Sequence, residues 1–151
     1  MTALRTEAWL LLGLVSSLPG ELVLRDGAIS FVAWGAGSAW PSQLRRLERL
    51  LGTPGIAKRI EDEDRTAVFR GPVGEVSIRM PWHYFGGGLK IRRNGTEVRI
   101  SFGRPANTRA GVRAATILAA ADNLREVAAM RRRGRIWVAA IERARKARSD
   151  T

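Results

Sequence analysis

Two dipeptides, Asp26–Gly27 and Asn94–Gly95, constrain the fold of this chain more than any other feature. Asp-Gly and Asn-Gly are the preferred centres of two-residue type I′ turns, which join neighbouring antiparallel strands. Counting outward from the turns pairs apolar residues with each other: Leu22 with Phe31, Leu24 with Ile29, Leu89 with Ile100, and Ile91 with Val98. Register and hydrophobic pattern agree, so the sequence predicts two hairpins that each bury one face.

The segment 74–102 is typical of three consecutive antiparallel strands, because apolar and polar residues alternate along it. Its second joint is the Asn94–Gly95 turn, and the register places Gly87 opposite Phe102. Its first joint is a corner of aromatic residues and three glycines: Trp82, His83, Tyr84, Phe85, Gly86, Gly87 and Gly88. With a further strand at about 65–70, residues 21–34 and 65–103 are predicted to form one strongly curved antiparallel sheet.

A short helix is predicted over residues 41–51. Pro41 suits a first helical turn, and Gly52 and Pro54 suit the end of a helix. Leucines recur at helical spacing opposite charged residues. The predicted buried stripe is Leu44, Leu47, Leu50 and Leu51. Residues 53–64 are predicted to be loop.

The C-terminal part, about 109–148, is predicted to be helical, with 111–141 packed on the sheet. One stripe of residues follows steps of three and four: Ile117, Ala121, Leu124, Val127, Met130, Gly134, Trp137 and Ile141. Gly134 lies on that stripe, which indicates a close approach to the sheet or a bend. The charged tail 143–151 is predicted to fray.

The N-terminal apolar run Ala8–Leu18 admits more than one interpretation. Its periodicity does not separate a buried helix from a buried strand over 6–17, and Leu18-Pro19-Gly20 is predicted to end the element. The run is about half of the roughly 20 residues that a spanning helix needs. It also lacks a small-residue cleavage site. We therefore expect it to be buried in the core of a cytoplasmic protein without a transmembrane segment.

The composition favours one domain and excludes several kinds of chemistry. A chain of 151 residues suits a single domain over 1–151. There is no Cys, which excludes disulfides, thiolate catalysis and cysteine-ligated metals, and the one His is His83. The acidic run Glu61–Asp64 lacks the spaced ligands and central Gly of a calcium loop, and Gly86–Gly88 lacks the spacing of a phosphate-binding motif. We expect no metal and no cofactor.

The positive charge is concentrated at the C-terminal end. The formal net charge is +12; residues 1–88 hold 10 Lys and Arg against 9 Asp and Glu, and residues 89–151 hold 16 against 5, which is +11. This asymmetry indicates an anionic partner, which could be nucleic acid, an acidic membrane surface or an acidic protein.

The predicted layout resembles a pleckstrin-homology-like barrel, in which a curled antiparallel sheet is closed by a C-terminal helix. The opening hairpin, Leu18–Phe31, is similar to that of small bacterial pleckstrin-homology-like and GRAM-like proteins. Their middle strands are similar to Val68–Phe69, Glu75–Val76 and Pro81–Gly88, and Arg131–Trp137 would belong to their closing helix. The resemblance covers about 18–34 and 66–141, and the aromatic–triglycine corner is its most specific part. It implies an α+β fold that acts by binding, with the short helix at 41–51 as an insertion.

One departure from that family concerns the ligand. Phosphoinositide-binding members usually carry a basic cluster along the first two strands and their loop. Here the loop is only Asp26–Gly27, flanked by Arg25. The phosphoinositide motif is therefore absent.

The polar face of the 74–102 segment carries four cationic residues: Arg79, Lys90, Arg92 and Arg99. The register puts Arg92 opposite Glu97, which is favourable, and Lys90 opposite Arg99, which is unfavourable unless an anion relieves it. The pattern fits either an anion-binding face or a solvated surface on which salt screens the repulsion.

The corner residues Trp82, His83, Tyr84 and Phe85 form the second candidate site. A strand cannot bury Trp82, Tyr84 and Phe85 on one face, so at least one corner side chain is predicted to be exposed beside Arg79 or Lys90. The alternative is a structural corner whose aromatics fill the core while the glycines allow tight curvature.

Arg131, Arg132, Arg133 and Arg135 are the densest basic run. They fit phosphate contacts to nucleic acid or the solvent face of the last helix, and no recognised nucleic-acid-binding motif accompanies them. With one His, no Cys and no paired-carboxylate motif, an enzyme is disfavoured. The sequence therefore predicts a non-enzymatic binding module for an acidic protein or surface, with sequence-independent nucleic-acid binding as the alternative.

Overall fold

A computed structural model of the chain describes residues 3–13, 16–81, 87–105 and 121–151. This part of the chain is α+β. The strands are β1 (Leu4–Leu12), β2 (Ser16–Arg25), β3 (Ala28–Ala33), β4 (Thr66–Pro72), β5 (Ser77–Arg79), β6 (Gly88–Arg93) and β7 (Thr96–Ser101). The helices are α1 (Pro41–Leu51), α2 (Ile56–Glu61) and α3 (Ala121–Ser149).

The strands of the described residues form one seven-stranded antiparallel sheet in the order β4-β3-β2-β1-β7-β6-β5. Two meanders, β1–β4 and β5–β7, meet where β1 pairs with β7 over Trp9–Leu11. The sheet is not closed, because β4 and β5 are its two edges. The predicted antiparallel sheet with a C-terminal helix is confirmed.

Both predicted hairpin registers are confirmed. The four apolar cross-strand pairs counted from the turns are all present. Asp26 and Gly27 have φ of 51° and 71°, and Asn94 and Gly95 have φ of 50° and 80°. Positive φ at both central residues is the requirement of a type I′ turn, which explains why these dipeptides set the register.

The sheet must curl strongly, because the chain joins its two edges by a short link. Seven strands in a flat sheet would place β4 and β5 about 29 Å apart, at about 4.8 Å per strand spacing. The link 73–76 joins Pro72 at the end of β4 to Ser77 at the start of β5. An extended chain of that length reaches about 18 Å at most. A flat arrangement is therefore excluded.

Arg93, the last residue of β6, connects β6 to the edge strand β4 and to the link 73–76. Its Nη1 donates to the carbonyl oxygen of Arg70 in β4 at 2.9 Å, and its Nη2 pairs with Glu75 Oε2 at 2.8 Å. Gly71 leaves room for the Arg93 stem, since a Cβ there would lie 2.9 Å from both Arg93 Cδ and Val76 Cγ1. The hydrogen bond to Arg70 thus crosses the gap between β6 and β4, called the seam below, where no pairing of the described strands is present.

Helix α3 covers the open interior of the sheet. Trp137 is fully buried, stacks on Phe102 with ring centroids 6.3 Å apart, and donates from Nε1 to Thr6 Oγ1 at 2.9 Å. Gly134 and Ile141 are buried on the same side, so the predicted stripe is confirmed over 134–141, while Val127 and Met130 are half-buried. The part of the predicted helix over 111–120 lies outside the described residues.

The end of α3 holds the link between the sheet edges. Arg145 donates from Nε to the carbonyl oxygen of Val73 at 3.0 Å and from Nη2 to that of Val76. The tail 143–151 was predicted to fray, but α3 is helical to Ser149. The charged composition suggested a free tail, whereas these backbone carbonyls provide partners that the sequence does not reveal.

The N-terminal apolar run belongs to two strands, which corrects the predicted stop at 18–20. β1 ends at Leu12, and Pro19 and Gly20 lie inside β2, where Pro19 faces Trp9. A Cβ at Gly20 would overlap the Val32 carbonyl oxygen and lie 2.8 Å from Phe31 Cζ. Pro and Gly therefore mark a tightly packed bend of a strand rather than its end.

The segment 34–65 contains two helices. α1 spans Pro41–Leu51 as predicted and ends at Gly52, whose φ of 64° is left-handed. Residues 53–64 were predicted to be loop, yet Ile56–Glu61 form α2. Its buried residues are Ile56, Ala57 and Ile60, and burial of this short apolar face stabilises a helix too brief to be recognised from periodicity.

We expect Arg93→Ala to lower the free energy of unfolding by about 1–2 kcal/mol, because it removes a charged donor from a backbone carbonyl and an ion pair across the seam. The control is Arg92→Ala, whose exposed side chain makes no ion pair in the described residues. Urea denaturation measures both. Equal stabilities of the two variants would show that the seam does not depend on Arg93.

We expect Thr6→Val to lower the free energy of unfolding by about 1–3 kcal/mol, because it leaves the buried Trp137 N–H without an acceptor at nearly unchanged volume. Thr96→Val is the matched control, since the Thr96 hydroxyl has no hydrogen-bond partner in the described structure. Thermal and urea unfolding followed by tryptophan fluorescence compares them. A Thr6→Val protein as stable as wild type would contradict the assignment of this bond.

Candidate functional site

The outer face of β5, β6 and β7 carries a row of three cationic side chains. Arg79 faces Lys90 across β5–β6, and Lys90 faces Arg99 across β6–β7. Adjacent strands lie about 4.8 Å apart, so the backbone positions of all three charges fall within about 10 Å. Leu11 of β1 is the next member of the row.

A protein carboxylate relieves part of the repulsion in this row. Glu97 faces Arg92, as predicted, but its ion pair is with Lys90, whose Nζ lies 3.5 Å from Glu97 Oε1. Arg99 donates from Nη2 to the carbonyl oxygen of Gly13 at 3.3 Å. The predicted unfavourable Lys90–Arg99 pair is present in register, and both of its side chains have partners within the chain.

The surface formed by Arg79, Lys90, Arg92 and Arg99, called the basic face below, retains an excess of positive charge. Glu97 is the one carboxylate in its two cross-strand rows. Arg79 and Arg92 are exposed, and neither forms an ion pair within the described residues. The structure thus brings the four predicted cationic residues onto one outer surface.

The predicted aromatic site, Trp82, His83, Tyr84 and Phe85, lies outside the described residues. The chain enters this segment after Pro81 and leaves it at Gly87. The predicted opposition of Gly87 and Phe102 is confirmed, because the Phe102 N–H donates to the Gly87 carbonyl oxygen at 2.9 Å.

The four arginines Arg131, Arg132, Arg133 and Arg135 are exposed on α3. Arg133 also has a structural role, since its Nη1 donates to the carbonyl oxygen of Phe102 at 3.0 Å. The densest basic run of the sequence is therefore partly used to fasten α3 to the end of β7.

A groove of about 300 Å³ lies between α1 and the ends of β1 and β7, and it is called the α1 groove below. Sequence reasoning missed it. The β1–β7 pairing ends at Leu11–Arg99, although β7 begins three residues earlier at Thr96. Leu10, Leu47 and Val98, which line the groove, are buried. Its remaining apolar lining comes from Leu11, Leu12 and Leu50.

The rim of the α1 groove is polar. Arg46 on α1 and Arg99 on β7 both line it, together with Glu97 and Gln43. Gln43 Nε2 donates to the carbonyl oxygen of Leu12 at 3.4 Å. Arg99 thus belongs to both surfaces, so the basic face continues into the groove.

The one sequence feature that indicates the groove is the position of Leu50 at the margin of the α1 apolar stripe. Leu50 was predicted to lie on the buried stripe of α1, but it is 55% exposed, while Leu44 and Leu47 are buried. Leu50 lies three residues after Leu47, which is about 60° away around the helix at 3.6 residues per turn. It therefore lies at the margin of the stripe, facing the opening between β1 and β7.

Two further kinds of feature concern metal ligands and membrane-spanning helices. None of the described side chains forms a group of three or more His, Cys, Asp or Glu suited to hold a metal ion. Across the described ranges, no helix is long and apolar enough to cross a membrane.

Comparison of the chain with protein-family models, with curated proteins and with solved structures finds no match. Function is therefore inferred from the surfaces described above, since a fold does not by itself specify an activity.

We expect Leu50→Ala to change the free energy of unfolding by less than about 0.5 kcal/mol, whereas Leu47→Ala should cost about 2–5 kcal/mol. The reason is that Leu47 is 4% exposed and loses many more buried contacts than Leu50, which is 55% exposed. Urea denaturation of the two variants measures the difference. A large loss for Leu50→Ala would mean that this leucine is buried in solution and that the groove is filled.

Proposed function

We propose that this protein is a non-enzymatic binding module that engages an acidic protein segment through its basic face. The observation that carries the proposal is the cross-strand row Arg79–Lys90–Arg99, with Arg92 beside it and Glu97 as the one carboxylate of these two described rows. Like charges placed opposite each other on a sheet are unfavourable, and bound carboxylates would reduce that cost. Arginine also suits bidentate contacts to carboxylates.

The architecture supports a pleckstrin-homology-like or GRAM-like module. Two antiparallel meanders form one curled, open sheet, and α3 covers its interior, which is the layout that the sequence resemblance implies. In this proposal α1 and α2 are insertions between β3 and β4. We propose a cytoplasmic location because residues 8–12 and 16–18 of the N-terminal apolar run are strand residues of the sheet.

Charge reversal on the basic face tests the proposal. We expect wild-type protein to bind a fluorescein-labelled oligoglutamate peptide at about 50 mM salt and more weakly at about 500 mM, because the Debye length shortens with ionic strength. Arg79→Glu with Arg92→Glu should weaken binding at least about tenfold. Fluorescence anisotropy measures the dissociation constants.

The matched control is Arg45→Glu with Arg49→Glu. It makes the same charge change at exposed positions of α1, away from the basic face. Equal weakening by the two double variants would mean that the affinity reflects net charge, which contradicts a defined site. Absence of binding at low salt would also contradict the proposal.

Nucleic-acid binding is the alternative outcome. Duplex and single-stranded oligonucleotides are titrated in the same assay, with Arg132→Ala and Arg135→Ala replacing exposed arginines of α3. Oligonucleotide binding that falls in this variant and persists in Arg79→Glu with Arg92→Glu would favour the alternative.

Glu97→Gln should strengthen binding of the oligoglutamate peptide by about twofold to fivefold. The substitution removes the one carboxylate of the basic face and frees Lys90 from its ion pair. The control is Glu48→Gln, the same change on α1 outside these rows. Weaker binding by Glu97→Gln would place the acidic ligand elsewhere.

A further inference from the structure

The basic face and the α1 groove are parts of one continuous surface. The cross-strand row that begins with Arg79, Lys90 and Arg99 continues to Leu11, and Leu11 and Arg99 both line the groove. A ligand lying across the strands along this row would pass from cationic side chains to an apolar opening. The order of charged and apolar features is thus set by the strand pairing.

The apolar lining of the groove suits an apolar protein side chain. Its volume of about 300 Å³ equals the lower limit of small-molecule pockets. Buried Leu10, Leu47 and Val98 line it, and Leu50 is exposed beside them. Leu50 would lose water contact when an apolar side chain occupies the groove, which favours burial of both.

The positive charges at the rim of the α1 groove favour an acidic segment. Arg46 and Arg99 line the same groove, while the carboxylate of Glu97 is engaged by Lys90. Arg99 uses one of its five N–H donors on Gly13, and so retains donors for a carboxylate or a peptide carbonyl. Charge complementarity therefore points to an anionic chain rather than a neutral or basic one.

We infer that the α1 groove receives one large apolar side chain of the same acidic segment that binds the basic face. This inference rests on the proposed function and specifies its partner as an acidic peptide with an aliphatic anchor. From β5 to β1 there are three strand spacings, or about 14 Å, which an extended peptide covers in about four residues. The anchor should therefore lie about four residues from the carboxylate that pairs with Arg79.

Two acidic peptides test the inference. Both carry the same glutamates, and they differ at one position about four residues away, which is Leu in one peptide and Ala in the other. We expect wild-type protein to bind the Leu peptide about tenfold more tightly, because an aliphatic side chain leaves water. Isothermal titration calorimetry at low salt measures both affinities.

Leu50→Ala should reduce the affinity for the Leu peptide about fivefold and leave that for the Ala peptide unchanged. Ile136→Ala is the matched control, since Ile136 is an exposed apolar residue of α3, 45% accessible against 55% for Leu50. Arg46→Ala should weaken binding of the Leu peptide more than Arg45→Ala does, because Arg46 lines the groove and Arg45 does not. Circular dichroism confirms that each variant is folded.

The outcomes separate the two proposals. Equal affinity for the two peptides, with loss in Arg79→Glu and Arg92→Glu, would overturn the groove inference and leave the basic face as the binding site. Failure of both peptides to bind at low salt would overturn the proposed function and the inference with it. A preference for Leu that persists in Leu50→Ala would also overturn the inference, since the anchor would then bind elsewhere.

Discussion

The short link 73–76 is the constraint on which the rest of the structure depends. It joins β4 and β5, which are opposite edges of a seven-stranded sheet, and so forces the sheet to curl. The two edges do not pair with each other. Arg93 from β6 and Arg145 from α3 instead donate to backbone carbonyl groups in and beside the link. Charged side chains thus satisfy backbone groups that a closed barrel would satisfy with a strand ladder.

The curl also gives the sheet a concave side that faces the core and a convex side that faces solvent. The concave side collects apolar residues from all seven strands, with Ile78 of β5 partly buried. Helix α3 packs on this side with Trp137 at the contact, and buried residues of α1 and α2 join the same core. The convex side of β5–β7 carries the exposed Arg79 and Arg92 and the half-buried Lys90 and Arg99. The α1 groove lies where β1 and β7 stop pairing, and α1 forms its other wall. Both candidate surfaces therefore follow from how the sheet bends.

Local sequence patterns predicted the elements whose geometry depends on residues that are adjacent in the chain. The Asp26–Gly27 and Asn94–Gly95 turns determined their registers, because positive φ at both turn residues leaves one way to pair the strands. The second register also places Lys90 opposite Arg99, as the structure confirms. Prediction failed at Leu18–Gly20, where a strand tolerates Pro and Gly because another part of the chain approaches its backbone closely.

The sequence by itself determined the antiparallel hairpins, the amphipathic α1, the stripe of α3 over 134–141 and the excess of positive charge, since each depends on residue types at fixed short spacings. Only the tertiary structure decided the β1–β7 pairing, the exposure of Leu50, and the continuity of Arg99 with both candidate surfaces. These features depend on contacts between residues far apart in the chain. Such contacts are selected by burial and chain connectivity together, which no local pattern encodes.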